Sequence, residues 1–316
     1  MESTLMVSSS PHLHCGMNTR DIMRDVVIAL IPALIASVWL FGFRALAVEV
    51  VCVASALAAE YLSRKAMKRP QTVGDLSCVV TGLLLALNLP VTLPLWQAAL
   101  GSVVAIVVAK QMFGGLGQNF VNPALVGRIV LMGSFPDAMN NWVTPLAWAG
   151  KADAVSGATP LAMLATDAAA EIDPLSLLFG LRGGCLGETC AVALLIGGIY
   201  LMIRHVISPL IPTIYIGTVF VLTWILGADP VVHILSGGLM IGAIFMATDY
   251  ATCPINKWGK VVYAVGCGAL TVLIRLYGSL PEGVSFAIVI MNILTPLIER
   301  WTRPLPFGEG RKAVRS

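Results

Sequence analysis

Ten apolar runs govern what this chain can become. They lie at 26–43, 45–62, 76–93, 95–113, 121–135, 186–203, 207–227, 231–249, 259–277 and 283–299. Each approaches the ~20 apolar residues an α-helix needs to cross a bilayer, the fifth being short enough to imply a broken or tilted helix. A soluble domain has no place for so much apolar surface. Hydrophobic residues make up 57% of the 316 and charged residues 12%, against about 25% charged in soluble proteins. The expectation is an all-α integral membrane protein of about ten transmembrane helices. A net charge of +3 is too small to suggest a nucleic-acid partner.

Basic residues orient the runs. With the amino terminus inside, the cytoplasmic segments hold Arg20, Arg24, Arg64, Lys65, Lys68, Arg69, Lys110, Arg204, Lys257 and Lys260, and the tail adds Arg300, Arg303, Arg311, Lys312 and Arg315. The outer segments hold only Arg44, Lys151 and Arg182. The positive-inside rule then puts both termini in the cytoplasm and the long loop near 136–185 outside. The organisation expected is a cytoplasmic tail (1–25), five helices (26–135), the outer loop (136–185), five more helices (186–300) and a basic cytoplasmic tail (301–316). No cleavable signal peptide is expected, since the first apolar run is a full span.

The two halves echo each other. Leu89-Pro90, Phe113-Gly114-Gly115-Leu116 and the run after them align with Cys253-Pro254, Tyr277-Gly278-Ser279-Leu280 and the last run at one constant offset. Five helices per half reverse the second copy, so the expected architecture is two inverted five-helix repeats. Such folds place broken helices and ligand sites where the repeats meet.

Four features could carry chemistry. Gly114-Gly115-Leu116-Gly117-Gln118-Asn119 interrupts the bilayer boundary unless its freed backbone groups line a cavity or bind something. Ionisable residues inside runs are costly and default to paired or functional roles. Glu49, Glu60, Arg128, Glu188, Asp249 and Arg275 are such residues. Glu60 and Arg275 lie near run ends and can snorkel to the interface, which leaves Arg128, Glu188 and Asp249 as candidates for a cofactor or ion site. Seven cysteines without a C-x-x-C pair argue against an iron–sulfur subunit, and no metal site is expected, His12-Leu13-His14-Cys15 included. The outer loop holds Ser156-Gly157-Ala158-Thr159-Pro160. Thr159 before Pro160 is an ordinary helix start, a hydroxyl N-cap followed by proline at the first helical position. The same physics makes it a phosphate site, since unpaired N–H groups and the helix dipole favour an anion there.

In this order the residues carry a resemblance. Ser10-Pro11-His12, Ile22-Met23-Arg24-Asp25-Val26, Arg69-Pro70, Gly74-Asp75 and Val80-Thr81-Gly82-Leu83-Leu84-Leu85-Ala86-Leu87 are followed by Gly114 to Asn119 and Asn122-Pro123-Ala124 with Gly127-Arg128. Ser156 to Pro160 and Met246-Ala247-Thr248-Asp249 complete the set. The chain resembles the NqrB/RnfD family, membrane subunits of Rnf-type ferredoxin:NAD oxidoreductases and of sodium-pumping NADH:quinone oxidoreductases. The resemblance implies FMN joined through a phosphoester to Thr159, with Ser156, Gly157 and Ala158 forming its motif. Gly114, Gly115, Asn119 and Arg128 are further cofactor-binding candidates, and Asp249 and Glu188 are candidates for an ion path. It also implies iron–sulfur and flavin subunits as partners, a flavin transferase for maturation, and a bacterial or archaeal cell membrane. A second, non-covalent flavin, riboflavin in the NqrB relatives, is carried by no motif here.

Pro160 and the lack of a long amino-terminal extension point to the Rnf-type branch, with the NqrB type as alternative. Tyr250 stands where the family often has proline, which bears on the turn after Asp249. The function expected is relay of electrons between ferredoxin and NAD and a part in Na⁺ or H⁺ translocation, in a subunit inactive alone. A flavin-free secondary transporter is the alternative from another class, since inverted repeats and midplane charges fit that class too.

Overall fold

The computed structural model describes residues 18–149, 161, 174–188, 190–278 and 283–304, and among these the ordered elements are all helical. Helix α1 (Thr19–Phe41) opens where Asp21 Oδ2 accepts from the Asn18 N–H at 3.3 Å, and Gly42 turns the chain into α2 (Phe43–Ala66). Then come α3 (Ser77–Leu87), α4 (Leu95–Ile106) continued by a π-helical turn over Val107–Gln111, and α5 (Pro123–Ser134). The second half holds α6 (Ala191–Ile203), α7 (Leu210–Ile225), α8 (Leu239–Ile241, continued by a π-helical turn over Gly242–Met246), α9 (Lys257–Tyr277) and α10 (Val284–Thr302). Four of them, α1, α2, α9 and α10, are long and apolar enough to cross a membrane.

The runs at 76–93 and 231–249 are not continuous helices. An 11-residue helix such as α3 rises only about 16 Å, half the hydrocarbon thickness. Beyond it the chain runs as irregular backbone through Asn88 to Pro94, tolerated at such depth only when buried in protein. Leu89 and Leu93 are fully buried, and the freed carbonyls find donors: Leu186 N–H bonds Leu89 O at 3.1 Å and Gly187 N–H bonds Leu87 O at 2.7 Å. The other run forms a short helix, Pro230–Leu235, breaks at Ser236–Gly238, and resumes as α8. Its open carbonyls are held by Arg275, whose guanidinium donates to His233 O, to Ser236 O at 2.9 Å and to Gly237 O at 3.1 Å.

Packing brings these pieces together. Helix α2 lies on α3 and α4, α4 on α5, α1 on α6, α7 on α9, α9 on α10, and α5 on α10. Buried Leu83–Leu87, Leu125, Leu194, Leu239–Ile241 and Ile288 belong to one continuous core spanning both halves. Trp39, Trp96, Trp148, Trp224, Trp258 and Trp301 are exposed near helix ends, as the aromatic belts of a bilayer protein are.

Candidate functional site

The two π-helical turns shape a cleft. A π turn inserts a residue into a helix and is often found at functional sites. The extra residue at the end of α4 leaves Ala109, Lys110 and Gln111 all buried, where a regular helix end would leave a lysine free to snorkel. The π turn of α8 carries Phe245 to the same place. Between them opens a cleft whose empty space, its open mouth included, is about 770 Å³. Its apolar walls are Ile22, Met23 and Val26 of α1, Val80 and Leu84 of α3, and Phe245. Ser77, Thr81, Lys110, Asn119, Thr248 and Asp249 supply its polar lining.

Most of those polar groups are held from behind. Lys110 Nζ lies 2.7 Å from Glu60 Oε2 and 2.7 Å from Ser77 Oγ, while the Thr72 hydroxyl donates to Glu60 Oε1 at 2.7 Å. Neither member of the ion pair is more than 2% exposed. Asp249 accepts from Ala251 N–H at 3.5 Å and from Thr252 Oγ1 at 3.4 Å, which closes the turn after α8. Tyr250, next in the chain, donates its hydroxyl to Val206 O. Asn119 donates to Val121 O at 3.1 Å, and Asn122 caps α5 through Ala124 N–H at 3.0 Å while its Nδ2 reaches Met246 O at 3.4 Å.

A second cluster lies away from the cleft. Arg128 on α5 donates from Nη1 to Asn88 Oδ1 at 2.8 Å and from Nη2 to Cys185 Sγ at 3.3 Å. Glu188 stands nearby in sequence, its Oε2 buried with no hydrogen-bond partner among the described residues. It lines a smaller cavity of about 240 Å³ with Arg182, Gly183, Gly184 and Ser236.

The residues singled out from sequence thus separate. Asn119 and Asp249 share the cleft; Arg128 and Glu188 belong to the second cluster. Gly114 and Gly115 lie in neither lining. Gly115 instead makes room for Arg64: with φ at +107°, a Cβ there would sit 2.3 Å from Arg64 Nη2. Ser156, Gly157, Ala158 and Thr159 lie outside the described residues. One expectation is corrected. Glu60 is fully buried in its pair with Lys110, and Arg275 is only 9% exposed and fixed by three carbonyls, so neither snorkels. Lys110, which the sequence reading did not single out as a site residue, is 2% exposed and lines the cleft. The signal for it was present, because Lys110 falls inside the run 95–113 and not beyond it.

Discontinuous helices meeting around buried charges, beside four helices long and apolar enough to cross a membrane, mark an all-helical multi-pass membrane protein. Residues 6–308 match the NQR2, RnfD, RnfE family, and the chain belongs to that family. It is 50% identical to a subunit of the Na(+)-translocating ferredoxin:NAD(+) oxidoreductase complex of Acetobacterium woodii over 97% of this chain and 96% of the relative. It is 43% identical to a subunit of the proton-translocating ferredoxin:NAD(+) oxidoreductase complex of Clostridium ljungdahlii, covering 96% of each. With a subunit of the ion-translocating oxidoreductase complex of Halorhodospira halophila the identity is 35%, over 96% and 95%.

Proposed function

We propose that this chain is the membrane flavoprotein subunit of an ion-translocating ferredoxin:NAD oxidoreductase complex. The observation that carries the reading is the Ser156-Gly157-Ala158-Thr159 motif within a chain that aligns along its length with membrane subunits of such complexes. Thr159 holds FMN through a phosphoester, attached by a flavin transferase on the outer face.

The cleft fits a second, non-covalent flavin. It has the chemical character of a small-ligand site, with apolar walls and a few hydrogen-bonding groups. Ile22, Val26, Leu84 and Phe245 would enclose the ring, while Ser77, Lys110 and Asn119 would meet its polar edge. A bound flavin supplies the redox chemistry; this chain's residues orient it, exclude water and set its electrostatics.

Two inverted repeats account for the packing. Contacts of α2 with α4 and of α4 with α5 are answered by α7 with α9 and α9 with α10. Half-helices α3 and α8 correspond, and each has a buried cation at its entry: Lys110 on Ser77, and Arg275 on Ser236 and Gly237. The basic residues put the cleft on the cytoplasmic side and Thr159 outside, with Asp249 and Glu188 on opposite sides of an ion path. The transporter alternative has no such relatives in its favour.

The test is flavin analysis of the intact complex. Acid precipitation leaves covalent FMN in the pellet and frees any second flavin. A peptide spanning Thr159 should carry the FMN mass, and Thr159→Ala should lose the covalent flavin of this chain's own band on a denaturing gel while the chain still inserts. Covalent flavin retained by Thr159→Ala would overturn the assignment.

A further inference from the structure

The Glu60–Lys110 pair is an expensive arrangement that packing alone does not require. Burying two charges costs several kcal/mol per ion in desolvation, and replacing such a pair by apolar residues is often neutral or stabilising. The pair also has a direction. Glu60 has both oxygens engaged, one by Thr72 and one by Lys110, and it faces away from the cleft lining. Lys110 does line the cleft, alongside Ser77. An ammonium has three N–H donors, and the acceptors described for it, Glu60 Oε2 and Ser77 Oγ, use two of them. Glu60 and Ser77 therefore act as tethers that fix a cation at the cleft wall with one donor left over. Of the cleft's other ionisable lining groups, Asp249 accepts from Ala251 N–H and Thr252 Oγ1 in the turn, and Tyr250 gives its hydroxyl to Val206 O.

We propose that Lys110 is the group that favours the reduced form of the cleft's ligand, and that Glu60 is a positioning residue acting through it. This rests on the cleft holding a non-covalent flavin. A ligand that takes one electron from an iron–sulfur donor without a proton gains one negative charge. A fixed ammonium at its polar edge, in a site of low dielectric, stabilises that charge more than it stabilises the neutral form. The cleft accordingly selects a planar ligand with a hydrogen-bond-accepting edge that becomes more electron-rich on reduction. A purely apolar ligand gains nothing from Lys110 and would leave its spare donor unmet.

The decisive comparison is made on the purified complex with the double substitution Glu60→Gln, Lys110→Met. It removes equal and opposite charges, so the net charge is unchanged while the cation at the cleft wall is lost together with its buried counter-ion. The readouts are the flavin freed by acid and its midpoint potential by redox titration, with the covalent flavin of this chain's own band reporting that the chain has matured. The expected result is a preferential loss of affinity for the reduced flavin of about tenfold, a shift of about 59 mV to more negative potential for a one-electron couple. Should that variant fail to mature, Glu60→Gln with Lys110→Gln keeps a hydrogen-bonded pair of amides and should shift the potential the same way. An unchanged potential in a matured variant overturns the role of Lys110 and leaves the cleft-flavin reading standing. Absence of acid-released flavin from the wild-type complex overturns the cleft-flavin reading, and this proposal with it.

Discussion

Arg128 and Asn88, forty residues apart, are joined by a 2.8 Å hydrogen bond that ties α5 to the point where α3 stops. Asn88 is 2% exposed and also donates to Leu84 O at 2.7 Å, so it caps the half-helix from its own side chain. Arg128, equally buried, then holds the cap. The irregular segment after α3 is held through its polar groups, by Arg128 of α5 and by the backbone N–H groups of Leu186 and Gly187.

Replacing Arg128 by Ala should therefore cost about 2–4 kcal/mol, combining lost buried volume with an unmet Asn88 acceptor. Arg128→Lys should recover only part of this, since an ammonium cannot reproduce the planar fork that spans Asn88 and Cys185. Thermal unfolding of the purified complex, followed by loss of intact chain to protease, reads both.

Gly115→Ala should be as damaging as a core substitution although it adds one methyl group. The new Cβ would meet Arg64 Nη2 at 2.3 Å in a backbone conformation that side chains disfavour. Arg64 also donates to Pro70 O at 3.0 Å, so displacing it should loosen the 67–72 turn. The double variant Gly115→Ala, Arg64→Ala should be more stable than Gly115→Ala alone. Additive destabilisation in that cycle would show that the two sites do not touch.

Asp249→Asn separates a turn residue from an ion ligand. The amide oxygen of Asn can keep the bond from Ala251 N–H, and its NH2 group can donate to Thr252 Oγ1, reversing that bond without losing it. The fold and flavin content should therefore survive, with electron transfer retained and ion translocation lost. Translocation that persists at unchanged turnover would leave Asp249 as a turn residue only.

The sidedness can be read by labelling. In a background without reactive native cysteines, Lys151→Cys should react with an impermeant thiol reagent from outside intact cells. Lys68→Cys, at an exposed position, should react only after lysis. Reversal of the two would invert the molecule and place the flavin loop in the cytoplasm.

Much of this architecture was legible in the chain, because bilayer length and the need to satisfy backbone groups leave few alternatives. The places where it was not are informative. Apolar content marks 76–93 and 231–249 as spans but does not show that each stops being helical partway, since buried irregular backbone has the same composition as buried helix. Glu60 and Arg275 read as interface residues because each lies near a run end, and sequence position carries no record of what stands opposite. Asp249 was legible both as a turn former and as an ion ligand, and the structure supplies its turn contacts without removing it from the cleft. Lys110 was legible as a charge inside the run 95–113, but not in its direction, since counting along a regular helix misplaces any residue that follows an inserted one.

That insertion has a mechanical consequence. Each residue of an α-helix advances the side chains by about 100°, so removing one residue from Val107–Ala109 would restore a regular helix. Everything beyond it would then rotate by that angle. Lys110 would swing off Glu60 and Ser77, and Gln111 and the glycines that follow would be carried round with it. Helix α4 is thus keyed like a shaft in its housing: most of its surface can change in sequence, but its length cannot change by one.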